Sequence, residues 1–496
     1  MQAMYGYWLP LLPLETAQEY WELAGDGITL RVPRLTVAQV RELTHQLCTA
    51  QRDYLSCLPV DVICERIGAA VNRWLEPFSP YLHAASTLLP AFTGFPEAAI
   101  RKGLAGYLAS FRQENLRRLL DEELGNAEVL DRFVPRSVVP GLVRAIGPRL
   151  TFHSFSGNTP GLPAQSLVAA MLAKSASLGK SAAEEPLFAA LFAESLGAVY
   201  TDLGRCLAVT YWPGSELTID GSVARTAMDE AEVVVAYGGS DAIAGVRAAI
   251  GKQRFLAYGH KLSFGMVTRE VLVPSLLDEL VERAAYDVVK FDQQGCLSPH
   301  VFYVEEGGTV ELEAFAERLA KSLARWEQLM PRGRLTVVER QRLAETVRQH
   351  EFRVARGEGK LWGGASAGWA VLVSEDPVFE ASCLNRVVWL KPLRDAEELQ
   401  DLLVPVREFL QTAGVSTSEE RLPKLLEELA QLGLDRICPL GQMGDPPVTW
   451  HHDGRFNVLD FLRFIDWEPE IRSGQWEFKH PTRGVLGLPV AERSGE

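Results

Sequence analysis

The spacing of apolar positions along the chain changes period twice. Ile28-Thr29-Leu30-Arg31-Val32 alternates apolar and polar residues, the period of a half-buried strand. Thr36-Val37-Ala38-Gln39 is a capping-box pattern, and behind it apolar residues recur at i, i+3, i+4. Similar helical runs span Val60 to Leu75, Pro96 to Phe111 and Asn115 to Leu124, so the N-terminal third reads as mainly helical. The aromatics Trp74, Phe78, Tyr81 and Phe92 sit at helical spacing and read as ordinary core, the alternative being the wall of a channel for an apolar ligand.

From about Arg149 the pattern becomes strand, turn, helix, repeated. Leu150 to Phe155 is strand-like, Ser156-Gly157-Asn158-Thr159-Pro160-Gly161 is a turn, and an alanine-rich helix follows from Leu162. Strands are expected at Cys206 to Tyr211, Glu232 to Tyr237 and Arg254 to Tyr258, with a helix opening at Gly238-Gly239-Ser240. Such alternation predicts a parallel, doubly wound sheet, the usual support for a nucleotide. After Gly259-His260-Lys261 a second α/β unit begins. Within it, Val289 to Glu305 reads as two strands joined by a tight polar turn that carries Cys296, and Val458 to Ile465 reads as an apolar helix.

Composition narrows the classes. At 496 residues the chain exceeds one ordinary core, and 47% apolar with 23% charged residues is globular. A net charge of −14 argues against a nucleic-acid backbone as partner. Seven cysteines (48, 57, 64, 206, 296, 383 and 438) without CxxC spacing argue against a disulfide framework or zinc site, and fit a reducing compartment. The N-terminus lacks a basic region and is broken by Pro10 and Pro13, unlike a signal peptide, and no stretch approaches a membrane span. A cytoplasmic location is expected.

Candidate chemistry centres on Cys296, a thiol between Gly295 and Ser298-Pro299 at a sharp turn. The turn before Leu162 and the Gly238-Gly239-Ser240 helix start could each cradle a phosphate. Neither completes a G-x-G-x-x-G fingerprint, and their weight comes from sharing one βαβαβ unit. Lys180 could reach a ribose or phosphate, and His260 and Lys261 follow a buried strand. His451-His452-Asp453 resembles a metal cluster, but adjacent histidines on a strand face opposite ways and cannot share one ion.

Three stretches, QQGCLSPH around Cys296, YGHKLSFG at 258–265 and FSGNTPG at 155–161, together resemble the long-chain acyl-CoA reductases. These include the fatty-acid reductase component of bacterial bioluminescence and belong to the aldehyde dehydrogenase superfamily. The resemblance covers roughly residues 130 to 470. It implies an α/β, aldehyde-dehydrogenase-like fold: a Rossmann-type cofactor domain, a second α/β catalytic domain and a mainly helical N-terminal region. The expected boundaries are 1–130, 131–262, 263–440 and a C-terminal segment, 441–496, available for oligomerisation.

By the same resemblance Cys296 is the nucleophile and Asn158 stabilises the oxyanion; His260, after its buried strand, is expected to supply or relay a proton. Lys180 touches the adenine ribose, Gly238, Gly239 and Ser240 lie near the pyrophosphate, and Glu380 matches the glutamate on the nicotinamide ribose. Ala257 replaces the glutamate that activates water in aldehyde-oxidising members, so an acyl-enzyme should survive for reduction. Ala183 removes a carboxylate that would repel a 2′-phosphate, which favours NADPH over NADH, with Glu184 next door weakening the point. The expected reaction is NADPH-dependent reduction of a long-chain fatty acyl-CoA to the aldehyde. The acyl group comes from CoA or from an acyl-protein synthetase, and the enzyme is a homo-oligomer. The alternatives are an acylating aldehyde dehydrogenase and an acyl-accepting subunit with little activity alone.

Overall fold

In the computed structural model the described residues are 4–12 and 19–469. Thr36 forms the expected capping box with Gln39 at the start of the helix Val37–Asp53. Further helices, Val60–Leu75, Pro80–Leu88, Glu97–Ala109 and Gln113–Leu124, build the N-terminal region. Their apolar stripes, including Ile63, Ile67, Val71, Ile100, Leu104, Leu116 and Leu120, share one core with the alanine-rich helix Leu162–Leu172. Burial of these stripes, more than intrinsic propensity, fixes helices of this length.

Five parallel strands form the first sheet: β1 (Leu150–Ser154), β2 (Ala176–Lys180), β3 (Leu207–Thr210), β4 (Val233–Tyr237) and β5 (Arg254–Tyr258). Their spatial order is β5-β4-β1-β2-β3. That is the nucleotide-binding order of a doubly wound sheet, with its switch point between β1 and β4. Every residue of β4 is buried, as expected for a central parallel strand covered on both faces.

The second sheet contains β6 (Leu262–Val267), β7 (Pro299–Glu305), β8 (Lys360–Gly364), β9 (Trp369–Val373), β10 (Val387–Leu393), β11 (Leu410–Ser416) and β12 (Arg436–Pro439). Their order is β8-β9-β10-β7-β6-β11-β12, with only the β8–β9 pair antiparallel. The central strands β7 and β6 place the residues just before them at the rim facing the first sheet.

Two expected elements are corrected. Val289 ends the helix Leu277–Val289 instead of starting a strand, so Cys296 sits in a loop entering β7 and not on a hairpin. Val288 and Val289 are buried from that helix, and three successive residues with left-handed backbone, Phe291, Asp292 and Gln293, then reverse the chain. The alternation that suggested a strand was the last helical turn running into this reversal. Val458 to Ile465 is not a helix either. A short turn, Leu459–Phe461, leads to the strand Arg463–Trp467, which pairs antiparallel with Leu142–Ile146. An open strand partner outweighs helical periodicity over so short a segment. The part of the 441–496 segment beyond residue 469 lies outside the described residues.

Candidate active site

A cleft of about 630 Å³ opens at the switch point of the first sheet and runs to the rim of the second. Ser156, Gly157, Asn158, Gly238 and Gly239 line one side, and Gln294, Gly295, Cys296 and Leu297 face them. Phe92, Phe95, Phe291 and Leu335 add an apolar wall. Of the four N-terminal aromatics only Phe92 reaches this cleft. Trp74 and Tyr81 stack together in the core and Phe78 is 97% exposed.

The Cys296 loop is held by buried polar groups. The Asp292 carboxylate accepts from the Gly333 N–H at 2.8 Å and from Arg386 Nε at 2.6 Å, and its carbonyl accepts from the Asn385 N–H at 3.0 Å. Arg386, 1% exposed, also pairs with Glu327 at 2.9 Å. The Ser263 hydroxyl donates to the Cys296 carbonyl at 2.7 Å. These contacts fix three consecutive left-handed residues, a conformation that tertiary contacts must enforce. Gly103, on the helix Glu97–Ala109, makes room for the loop, since a Cβ there would lie 2.5 Å from the Phe291 ring.

Asn158 Nδ2 donates to the carbonyl of Gln294 at 3.3 Å, and its Oδ1 accepts from Ser156. Residues 136 positions apart thus meet two residues before the thiol. His260 is exposed at the cleft mouth, with its ring 6.1 Å from that of Phe409. Lys261 pairs with Asp435 at 2.8 Å. Ala257 precedes them on β5, so the chain carries no carboxylate at that position.

Gly239 caps the helix Ser240–Ala249, whose N-terminus lies beside the cleft. Lys180 ends β2 on the same side of the first sheet, with its ammonium 5.8 Å from the Tyr211 ring. Burial lowers the Lys180 pKa and Glu184 opposes the shift. A doubly wound sheet, small residues at both turns and a free helix start suit a dinucleotide. Glu380 is not among the residues that line the cleft. Its carboxylate is taken by Arg353 at 3.1 Å and faces Lys391 at 3.9 Å.

Sequence reasoning weighed His452 and Asp453 only as a metal site and did not place them in the far wall of the cleft. His452 packs between the rings of Tyr258 and Trp450, at 4.5 and 4.7 Å, and burial drives its pKa down to about 3. Asp453 adjoins it in the same wall. Trp450, His452 and Asp453 all line the cleft. Burial pushes the Cys296 thiol up to about 12, and Asp453 adds to the rise. A hydrogen bond from the Gln411 amide, the cysteine's own N–H and Lys261 oppose it.

A doubly wound sheet facing a cysteine loop across one cleft is the architecture of the aldehyde dehydrogenases. Solved aldehyde dehydrogenases share that fold. The enzyme KauB of Pseudomonas aeruginosa superposes with a TM-score of 0.70 at 14% identity, covering 93% of this chain and 95% of that one. An indole-3-acetaldehyde dehydrogenase of P. syringae, solved with NAD+, gives 0.71 at 12% identity, covering 93% and 95%. The chain belongs to the acyl-CoA reductase (LuxC) family, whose pattern matches residues 55–464. Its relatives include the long-chain acyl-protein thioester reductase of Aliivibrio fischeri, 27% identical over 71% of this chain and 70% of that protein. The enzyme of the same name from Vibrio harveyi is 23% identical over 86% of each. The protein is accordingly an acyl thioester reductase.

Proposed function

We propose that the protein reduces long-chain fatty acyl thioesters to fatty aldehydes with NADPH, through an acyl group held on Cys296. The observation that carries this reading is the Asn158–Gln294 contact at 3.3 Å, which seats an amide donor beside the thiol loop across two domains. As thiolate, Cys296 attacks the thioester carbonyl, forms the new C–S bond and expels the donor thiol. The Asn158 amide and the cysteine N–H receive the developing oxyanion. The apolar wall of Phe92, Phe95 and Phe291 receives the start of the acyl chain and excludes water. With Ala257 where oxidising relatives of the superfamily carry a glutamate, no carboxylate at that position activates water.

Gly238, Gly239, the Ser240 helix start and the Ser156–Pro160 turn would hold the dinucleotide, with Lys180 towards its ribose. When bound it supplies hydride. Ala183 favours NADPH, while the Glu184 carboxylate in the cleft lining keeps NADH as the alternative. On this reading residues 131–262 carry the cofactor, 263–440 carry the nucleophile, and the helical region 1–130 buttresses both. The family's description supports acyl-CoA as donor, and the relatives' names support an acyl-protein. A protein-bound acyl group handed over by a partner therefore belongs to the proposal, as does a homo-oligomeric state.

Mass spectrometry after incubation with a long-chain acyl-CoA, without reductant, should find the acyl mass on Cys296. Adding NADPH should release aldehyde and restore the free thiol. A Cys296→Ser enzyme that forms aldehyde at the parent rate would end the reading.

A further inference from the structure

On the helix Leu162–Leu172, Gln165, Val168 and Ala169 recur at i, i+3, i+4 and so share one face. Beside that face lies a second cavity of about 20 Å³, closed on its other sides by Phe111, Leu119 and Val448. Tyr107, Gln165, Pro446 and Trp450 line both this chamber and the cleft, so the two adjoin there.

The chamber suits an apolar occupant. Phe111, Leu119, Val168 and Ala169 are all buried. Its polar side chains have their donors committed elsewhere. Ser110 Oγ donates to the Tyr107 carbonyl at 2.6 Å and Tyr107 Oη to Gln165 Oε1 at 3.0 Å. Gln165 Nε2 donates to Asn457 Oδ1 at 3.2 Å and to His452 Nδ1 at 3.3 Å, while Asn457 Nδ2 donates to Glu123 and to the Trp450 carbonyl. A buried water needs two to four partners and would find no donor among these four side chains. Packed interiors close such voids because each one forfeits contacts. The space admits roughly one methyl-sized group.

We propose that this chamber seats the methyl end of the acyl chain, so that Val168, Ala169 and Leu119 set which chain length the enzyme takes up fastest. The proposal rests on Cys296 being the acyl acceptor. The chain runs from the thiol along the apolar wall of the cleft, passes Tyr107 and Trp450, and stops against Val168 and Leu119. A chain of matching length fills the void with contacts. A shorter one leaves it empty, and a longer one must displace side chains. Asn158 lies in the turn before the same helix, and Ala169 is roughly 10 Å along its axis from Leu162. The oxyanion donor and the chain stop are thus tied to one rigid element.

The test measures CoA release without reductant from the even-numbered saturated acyl-CoAs, decanoyl to octadecanoyl, each below its micellar concentration. The full-length enzyme is compared with Val168→Ile, which fills the chamber by one methylene, and with Val168→Ala and Leu119→Ala, which enlarge it from two different helices. Thermal unfolding confirms which variants are folded. The parent should show one fastest chain length. Val168→Ile should slow that chain by about fourfold, the worth of one buried methylene, and spare the next shorter one. The alanine variants should move the fastest length one step longer. The proposal is overturned if the parent has no length preference, if the folded alanine variants keep the parent's fastest length, or if Val168→Ile slows all chains equally. Cys296→Ser separates the two levels. If it still releases CoA at the parent rate, the acyl-acceptor reading is wrong. If it is inert while the Val168 and Leu119 variants keep the parent's profile, only the chamber assignment is wrong.

Discussion

The buried carboxylate of Glu123 holds Asn457 by two bonds to one oxygen, from the backbone N–H at 2.7 Å and from Nδ2 at 3.1 Å. Its other oxygen accepts the N–H groups of Val458 and Leu459 at 2.8 and 2.9 Å. A helix of the N-terminal region thereby anchors the segment that brings Trp450, His452 and Asp453 to the cleft.

Replacing that anchor should be felt in both stability and chemistry. Glu123→Ala leaves three backbone N–H groups without their acceptor, at about 1–3 kcal/mol for each that water does not reach. We expect unfolding at lower urea, with a fall in activity larger than the unfolded fraction explains, measured at a temperature where the variant is folded.

Packing against Gly103 gives a second expectation. Gly103→Ala places a methyl 2.5 Å from the Phe291 ring, which must move. Phe291 is the first of the left-handed residues that set the Cys296 loop. Overpacking of this kind destabilises by about 1–3 kcal/mol, and Cys296 should lose acyl transfer beyond that. An Ala-tolerant enzyme with unchanged acylation would show that the loop does not depend on this contact.

Restoring a carboxylate at residue 257 tests why the acyl group persists. Ala257→Glu should divert part of the flux from aldehyde to free fatty acid. Acid and aldehyde are measured from the same labelled thioester with limiting reductant. An unchanged product ratio would mean that position 257 does not control water.

His452 makes a prediction about pH. Its folded pKa is about 3 against 6.5 ordinarily, so below 6.5 the unfolded chain binds a proton that the folded chain does not. Folding stability contributed by neutral His452 is therefore full above pH 6.5 and falls as pH drops towards 3, by up to about 1.4 kcal/mol per unit. His452→Gln loses its packing against Tyr258 and Trp450 but has no such slope. The stability gap between parent and variant in urea titrations should narrow from pH 6.5 to pH 5. Taking the difference cancels the opposing titrations of Glu185 and Asp287, both raised by burial.

Local chemistry was enough for several features of this protein. The Thr36 capping box, the apolar stripes of the N-terminal helices and the all-buried Val233–Tyr237 strand depend on neighbours in sequence, so periodicity and capping specified them. The Gly238-Gly239-Ser240 helix start and Cys296 were legible because turn residues mark sharp reversals wherever they occur. Tertiary structure decided the rest. Three left-handed residues before Cys296 exist because Arg386 and Gly333 hold Asp292. Arg463–Trp467 became a strand because Leu142–Ile146 offered an edge. Glu380 pairs with Arg353, 27 residues before it. Asp453 is held in the cleft wall by Gln411, on a strand 42 residues away from it in sequence. Each of these depends on a partner distant along the chain, and local spacing carries no record of such a partner.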